Sequence, residues 1–182
     1  MEITATRIPD VLAIRPRIFS DHRGFFLETW QERRFEAAGI RARFVQDNQS
    51  RSKQWTLRGL HYQIEQPQGK LVGVTQGAVF DVAVDLRRSS ATFGQWVGME
   101  LNDVNHQMLW IPPGFAHGFL ALSATVDFVY KCTDFYAPPF ERTLLWNDPK
   151  LGIAWPIPNG VTPLIAEKDG AAGGIGDAEL FP

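Results

Sequence analysis

Short apolar runs that alternate with polar residues, and that end at Gly, Pro, Asn or Asp, recur along most of this sequence. A period of two residues is the pattern of a strand with one buried face, so the chain is predicted to be mainly β. So many short strands indicate a sandwich or barrel, and a double-sheet jelly roll is a natural way to close it. The predicted strands are residues 3–8, 11–18, 24–30, 42–47, 56–63, 70–75, 78–86, 95–101, 107–111 and 125–132.

Two segments depart from the β pattern. Residues 31–38 are rich in Gln, Glu, Arg and Ala, which favour a helix, and Gly39 suits the position after its end. One short helix is therefore predicted in the N-terminal half. The glycine-rich stretch 168–176 predicts an irregular C-terminal segment, and residues 170–182 are expected to be flexible, either as a frayed tail or as a segment that closes over something.

Charge and length limit the classes of protein that fit. The chain carries 18 Lys and Arg against 20 Asp and Glu, a formal net charge of −2, and this balance excludes attachment to nucleic acid by overall charge. Its 182 residues, 45% of them hydrophobic, predict a single domain over residues 1–182. Cys132 has no partner cysteine, and neither a signal peptide nor a membrane span is visible, so we expect a cytoplasmic protein with no membrane partner.

The four histidines, at 22, 61, 106 and 117, are spaced too widely to form the paired metal ligands of one cupin strand. No metal site is predicted from ligand spacing, although ligands from distant residues remain possible. His61 follows Gly59 in a strand-like run, where a glycine allows a bulge or a close approach. Histidine titrates near neutral pH, so His61 is either a general base or a buried side chain that bonds to the backbone.

Several other polar residues have both a structural and a functional interpretation. Tyr130 shares the inward face of its strand with Val126 and Phe128, as a core tyrosine or as a proton donor in a cavity. His117 follows the turn at 112–114 and precedes Gly118, either as a structural histidine or beside a ligand. The cations that could together bind an anion, although each alone is typical of a solvated surface, are Arg23, Arg58, Lys70 and Lys168. Asp169 could orient His61 through the second ring nitrogen.

The ordered set of motifs resembles the dTDP-4-dehydrorhamnose 3,5-epimerase family, from near the N-terminus to about Asp169. The motifs are DHRGFFLE at 21–28, FVQDN at 44–48, LRGLHYQ at 57–63, QGKLV at 68–72, VFDVAVD at 79–85, TFGQW at 92–96, IPPGFAHGF at 111–119 and WND at 146–148. The resemblance implies a cupin-like jelly-roll homodimer that needs no metal or cofactor. It also implies double epimerisation of dTDP-4-dehydro-6-deoxy-D-glucose to dTDP-4-dehydro-L-rhamnose, on the route to dTDP-L-rhamnose.

The same resemblance implies the catalytic roles. His61 would be the proton acceptor, paired with Asp169, and Tyr130 would be the proton donor on the opposite face of the sugar. Lys70 would lie near the C4 oxygen, where a cation lowers the energy of the developing enolate. A ketone at C4 acidifies the hydrogens at C3 and C5, so a base, an acid and enolate stabilisation suffice for inversion.

The resemblance also implies a set of substrate-binding residues. Arg23 and Arg58 suit the diphosphate, because a guanidinium offers paired donors to phosphate oxygens. Tyr136 would stack on thymine. The remaining implied binding residues are Glu28, Gln46, Asp47, Asn48, His117, Glu141 and Lys168.

Two positions depart from the family pattern, and two other functions stay open. Gln49 stands where the family often has a histidine, and Phe135 stands where it often has a tyrosine. The first alternative is a related epimerase that acts only at C3 or only at C5 of a dTDP-4-keto sugar. The second is a non-catalytic jelly roll that binds a sugar nucleotide. This alternative is disfavoured by the joint presence of four residues, His61, Lys70, Tyr130 and Asp169.

Overall fold

The computed structural model describes residues 1–182 and contains fourteen strands, two short α-helices and a 3₁₀ turn. The strands are β1 (Glu2–Ala5), β2 (Leu12–Arg15), β3 (Ile18–Asp21), β4 (Gly24–Leu27), β5 (Gln46–Lys53), β6 (Thr56–Gln63), β7 (Lys70–Gln76), β8 (Ala78–Asp85), β9 (Trp96–Asn102), β10 (Met108–Ile111), β11 (Phe115–Ala121), β12 (Thr125–Cys132), β13 (Glu141–Thr143) and β14 (Leu164–Ile165). The helices are α1 (Glu32–Ala37) and α2 (Glu167–Gly170), and the 3₁₀ turn is Pro138–Phe140.

Most strands belong to two sheets. The first sheet has the order β1-β2-β10-β7-β12-β5, and the second has the order β13-β6-β11-β8-β9, with β14 added in parallel to β6. Strands β3 and β4 form a separate hairpin. All strand pairs within the two sheets other than β14–β6 are antiparallel, which is the arrangement expected of a jelly roll. The prediction of a mainly β, double-sheet jelly roll is confirmed.

The main core lies between the two sheets. The first sheet contributes Val72 and Phe128 and the second contributes Ala83 and Phe119, all of which are buried in one cluster. The aromatic rings of Phe119 and Phe128 stack across the interface with their centroids 4.3 Å apart. The two sheets are therefore held together by the side chains on the inward face of each strand.

The outer faces of both sheets are covered as well. Phe35 of α1 packs with Trp110 on the outer face of the first sheet, while Leu151 and Phe181 of the C-terminal region pack with Val84 on the outer face of the second. This double coverage explains why β8 is buried on both faces and is apolar apart from two aspartates. The C-terminal end is fastened by a hydrogen bond from the Tyr62 hydroxyl to the Glu179 carbonyl.

The predicted helix is confirmed by α1. This helix begins after Gln31, whose side chain caps it by accepting a hydrogen bond from the Arg34 N–H. Several strand boundaries were wrong. The predicted strand 11–18 is divided between β2 and β3, and Pro16, which cannot donate a backbone hydrogen bond, lies between them. Residues 42–45 are irregular, and the strand there begins only at Gln46.

The short strands β13 and β14 were not predicted, and two longer strands, β5 beyond its first two residues and β11 over its whole length, were missed for opposite reasons. Strand β5 is polar on both faces, since its inward side chains face a cavity and it forms one edge of the first sheet. Strand β11 is buried at every residue, because it is central in its sheet and both of its faces are covered. Neither strand carries the alternation on which the prediction depended. No helix in the structure has the length and apolar character needed to cross a membrane.

Candidate active site

A cavity of about 490 Å³ opens between the two sheets and is closed on one side by β14 and α2. Its lining brings together seven of the residues singled out from the sequence, which are Arg58, His61, Lys70, His117, Tyr130, Lys168 and Asp169. His61 comes from the second sheet and Tyr130 from the first, so a ligand between the sheets has an imidazole on one side and a phenol on the other.

An irregularity in β6 places both Arg58 and His61 at this cavity. They are three residues apart, which would put them on opposite faces of a regular strand. Their partners on β11, Phe119 and His117, are only two residues apart, and the register shifts between the two pairs. The extra residue in β6 restores Arg58 and His61 to one face.

Glycines make this close approach of β6 and β11 sterically feasible. Gly59 has a φ of +104°, and a Cβ atom there would lie 2.6 Å from the His117 carbonyl oxygen. A Cβ atom on Gly118 would lie 2.6 Å from the Arg58 carbonyl oxygen. Any side chain at either position would push the two strands apart and displace the cavity residues beside them.

His61 forms a hydrogen-bonded pair with Asp169 of α2. The His61 Nε2 atom lies 2.8 Å from Asp169 Oδ1, and the second carboxylate oxygen accepts a hydrogen bond of 3.1 Å from the Gly59 N–H. Burial acts to raise the pKa of Asp169, but hydrogen bonds from His61 and Gly59 and the charges of His61 and Lys168 outweigh it, so the pKa lies below its ordinary value. An ionised carboxylate only accepts hydrogen bonds, so it fixes the proton of neutral His61 on Nε2 and leaves the Nδ1 lone pair free.

A second histidine–carboxylate pair lies beside the first. His117 is the cross-strand partner of His61, and its Nε2 atom lies 2.8 Å from Oδ2 of Asp81, a residue with no exposed surface. The His117 ring stacks on Phe128 with centroids 6.0 Å apart. Sequence reasoning did not single out Asp81, and its only signal was an aspartate within the apolar strand β8.

The surroundings of Lys70 and Tyr130 shift the pKa of each side chain. Burial lowers the pKa of Lys70, against the opposing influence of Cys132, Asp81 and Glu141. Burial also raises the pKa of Tyr130, and nearby Cys132 raises it further while Arg58 acts in the opposite direction. The phenol is therefore held in its protonated form, as a proton donor requires, and the lysine can lose its charge more readily than a solvated one.

Polar residues from the predicted binding set form a cluster near the cavity. Lys168 Nζ donates to Glu141 Oε2 at 2.9 Å, and the same oxygen accepts from the Tyr136 hydroxyl at 3.4 Å. The hydrogen bond to Glu141 raises the pKa of Lys168. Gln46 accepts from the Tyr136 backbone N–H and donates to the Asn48 side chain. The Tyr136 ring itself is 51% exposed and available for stacking.

Seven predicted binding residues are absent from the lining of this cavity, namely Gln46, Asn48, Tyr136 and Glu141 of the cluster just described and the three residues Arg23, Glu28 and Asp47. Arg23 is at the exposed tip of the β3–β4 hairpin in an ion pair with Asp21, and Glu28 is paired with Arg34. Asp47 is paired with Lys131 and borders a larger depression, of about 700 Å³, on the outer face of the first sheet. That depression contains neither His61 nor Lys70 in its lining, so the chemistry is assigned to the smaller cavity.

Sequence reasoning missed part of the cavity wall. Phe119 and Phe128 give it apolar walls, and Leu164 and Ile165 of β14 border it together with Ala166. Ser50 borders it from the edge strand β5. No group of three or more His, Cys, Asp or Glu side chains anywhere in the chain is close enough together to hold a metal ion.

Comparison with known proteins agrees with this geometry. The family model described as dTDP-4-dehydrorhamnose 3,5-epimerase matches residues 5–177. The chain belongs to the dTDP-4-dehydrorhamnose 3,5-epimerase family. A relative of that name from Pseudomonas aeruginosa is 56% identical over 183 residues, covering 100% of each chain.

Solved structures of the family superimpose closely on this chain. The dTDP-6-deoxy-D-glucose-3,5-epimerase of Legionella pneumophila, crystallised with dTDP-4-keto-L-rhamnose, has a TM-score of 0.94 and 51% identity over 98% of this chain and 94% of its own. A 3′-monoepimerase from Streptomyces bikiniensis in complex with dTDP-quinovose has a TM-score of 0.89 and 33% identity over 95% and 87% of the two chains. One fold therefore carries both double and single epimerisation.

Proposed function

We propose that this protein converts dTDP-4-dehydro-6-deoxy-D-glucose into dTDP-4-dehydro-L-rhamnose by inverting C3 and C5, as a step towards dTDP-L-rhamnose. The observation that carries the proposal is the His61–Asp169 pair, 2.8 Å apart, in a cavity that Tyr130 borders from the opposite sheet. Inversion of a carbon next to a ketone needs a base on one face and an acid on the other, and the two sheets supply one each.

In this mechanism, His61 Nδ1 removes the proton from the carbon next to the C4 ketone. The electron pair moves into the carbonyl, and the negative charge that develops on the C4 oxygen is stabilised by the Lys70 ammonium. Asp169 stabilises the imidazolium that forms, since its negatively charged carboxylate accepts a hydrogen bond from the Nε2–H group. Tyr130 then donates its proton to the same carbon from the opposite face, and the ketone is restored with inverted configuration.

The nucleotide part of the substrate is assigned to the end of the cavity where Lys168 and Tyr136 lie, since Glu141 accepts hydrogen bonds from both of these side chains. Lys168 lines the cavity and offers a cation to the diphosphate, and the exposed Tyr136 offers a stacking surface for thymine. Arg58 is hydrogen-bonded to Ser52, at the opposite end of β5 from Gln46, which holds the Tyr136 backbone, so its guanidinium is assigned to the sugar. The relatives crystallised with dTDP-keto-rhamnose and with dTDP-quinovose support a dTDP sugar as the ligand.

The test is incubation of the purified protein with dTDP-4-dehydro-6-deoxy-D-glucose in D₂O, followed by NMR of the product. Deuterium at both C3 and C5, together with the L-rhamno configuration after trapping by a downstream reductase, is the expected result. Deuterium at one carbon only would identify a single epimerase, the alternative that the Streptomyces neighbour makes concrete. No exchange at either carbon would leave a binding protein and refute the proposed reaction.

We also infer that the chain forms a homodimer through the β3–β4 hairpin. Phe25 and Phe26 on this hairpin are 60% and 68% exposed, and large exposed apolar side chains in one place are typical of an interface. Arg23 and Glu28 lie outside the cavity of their own chain. In a dimer, they would contact the substrate in the cavity of the second copy. Sedimentation equilibrium should give twice the chain mass, and Phe26→Asp should shift the protein towards monomer; a monomeric wild-type protein would refute the inference.

A further inference from the structure

The Tyr136 ring assigned to the nucleobase is carried by an irregular segment, residues 134–137, which lies between β12 and the 3₁₀ turn. No backbone–backbone hydrogen bond involves the first three residues of this segment. Glutamine side chains hold it instead. Gln68 donates to the Asp134 carbonyl at 2.9 Å, and Gln46 accepts from the Tyr136 N–H at 2.9 Å. Side chains from other strands and loops therefore decide where the segment lies.

A third glutamine, Gln63, bonds to the residue on each side of Tyr136. Its Oε1 atom accepts a hydrogen bond of 2.9 Å from the Ala137 N–H, and its Nε2 atom donates to the Phe135 carbonyl at 3.2 Å. The same nitrogen donates to the Gln66 carbonyl at 2.8 Å. Gln63 is 4% exposed, so its donors and its acceptor are engaged inside the protein. One buried amide thus fixes both peptide groups that adjoin Tyr136.

The position of Gln63 on β6 relates the Tyr136 ring to the proposed base. His61 and Gln63 are two residues apart in the stretch of β6 that pairs regularly with β13, so they share one face and lie about 6.6 Å apart along the strand. Glu141 is the cross-strand partner of Gln63, and it accepts from the Tyr136 hydroxyl at 3.4 Å. The Gln63–Glu141 pair therefore holds Tyr136 at its backbone and its hydroxyl, beside the strand position that carries His61.

We propose that Gln63 is a positioning residue that holds the Tyr136 ring for stacking on the nucleobase and so sets the affinity for the nucleotide. The inference rests on the proposed function, in which Tyr136 stacks on thymine. The Tyr136 side chain is 51% exposed and that of Phe135 is 61% exposed, so burial of these rings contributes little to holding the segment. The hydrogen bonds to its peptide groups are what remain to hold it.

A ring that is already in place binds a base more tightly than one that must first be ordered. Ordering of a loop residue on binding costs conformational entropy, and that cost is subtracted from the affinity. Gln63 and Gln46 restrict the peptide groups beside Tyr136 in the free protein, so the ordering takes place during folding. The base does not take part in the reaction at the sugar, and its stacking therefore stabilises the bound substrate and the transition state equally.

The experiment is a double-mutant cycle of Gln63→Met and Tyr136→Ala, measured by calorimetric titration with dTDP. Methionine keeps the length of the side chain and removes its hydrogen bonds. Gln63→Met should raise the Kd of dTDP roughly 5- to 30-fold, the loss expected for two neutral hydrogen bonds. Tyr136→Ala should raise it roughly 5- to 150-fold, as expected for one stacked base. In the Tyr136→Ala background, Gln63→Met should change the Kd by less than about twofold, because no ring remains to be positioned.

Turnover and a matched glutamine separate positioning from general stability. With the keto sugar nucleotide, Gln63→Met should raise KM by a factor similar to that for dTDP and leave kcat within about twofold of wild type, the signature of lost uniform binding. Inorganic pyrophosphate has no base and should bind wild type and variant equally. Gln54→Met is the control, because Gln54 also donates to a backbone carbonyl, that of Leu122, but lies in the β5–β6 turn and does not line the cavity. It should leave the dTDP affinity unchanged.

An unchanged dTDP affinity in Gln63→Met would overturn the proposal, as would equal losses with and without the Tyr136 ring or a fall in kcat at constant KM. If Gln63→Met does not fold, the same cycle with Gln63→Glu decides the question, because a carboxylate keeps the acceptor for Ala137 and loses the donor to Phe135. A protein that binds dTDP but turns over no keto sugar would refute the proposed reaction, and the binding cycle would still test Gln63.

Discussion

Replacement of Asp169 by Asn tests the geometry of the proposed base directly. The carboxylate now accepts two hydrogen bonds, one from His61 Nε2 at 2.8 Å and one from the Gly59 N–H at 3.1 Å. An asparagine has one acceptor oxygen and one donor group in place of these two oxygens. If its oxygen keeps the Gly59 bond, its NH₂ faces Nε2, and the proton of neutral His61 must move to Nδ1.

This tautomer change removes the function of His61 without removing the side chain. An Nδ1 atom that carries a proton cannot accept one from the sugar. Loss of the charge-assisted bond alone is worth about 1.5–3 kcal/mol, or roughly 10- to 150-fold in rate. The Asp169 side chain is only 3% exposed, so screening by solvent reduces this interaction energy only slightly. We expect kcat to fall about 100-fold, with KM changed by less than about threefold.

The assay is deuterium incorporation at C3 and C5 followed by NMR, which reports proton abstraction separately from product formation. Glu167→Gln is the matched control, because Glu167 belongs to the same short helix but is exposed and does not line the cavity. It should retain wild-type kcat. An Asp169→Asn enzyme within threefold of wild type would show that the His61–Asp169 pair does not supply the base.

Three further substitutions probe the acid, the cation and the backbone. Tyr130→Phe should lower inversion by roughly 10²- to 10⁴-fold while His61 still exchanges substrate hydrogen with D₂O, and NMR that shows unimpaired inversion would exclude Tyr130 as the donor. Because burial lowers the pKa of Lys70, its cation should be lost at lower pH than that of a solvated lysine, so kcat should fall on the alkaline side. Lys70→Arg should move that fall to higher pH, and an identical pH–rate profile would contradict the assignment. Gly59→Ala should destabilise the fold by about 3 kcal/mol, since its Cβ atom would meet the His117 carbonyl oxygen. Calorimetry should show a melting temperature roughly 6–12 °C lower than that of wild type. An unchanged melting temperature would show that β6 and β11 can move apart at little cost.

The alternation of apolar and polar residues was sufficient to predict the fold class, because a strand with one buried face imposes that period locally. It was insufficient for β5 and β11. The polarity of β5 follows from a cavity that the opposite sheet completes, and the full burial of β11 follows from the C-terminal segment that covers its sheet. A local pattern carries no information about which surface a distant segment will cover.

The candidate site likewise contains residues that the sequence indicated and residues that it did not. Motif resemblance indicated His61, Lys70, Tyr130 and Asp169 by residue, and all four border one cavity. Asp81 was not indicated, because an aspartate within an apolar strand has no distinguishing spacing. Its significance appears only when His117 Nε2 is found 2.8 Å from its carboxylate.

The sequence by itself determined that the chain forms short strands, one short helix and a family-specific set of acid, base and cationic residues, since these depend on residue type and local order. Only the tertiary structure decided which of them meet. The bulge in β6 sets Arg58 and His61 on one face, and α2 brings Asp169 to His61 across a separation of 108 residues. The same structure leaves Arg23 outside the cavity, because chemistry depends on distances of a few ångströms that only the packed fold sets.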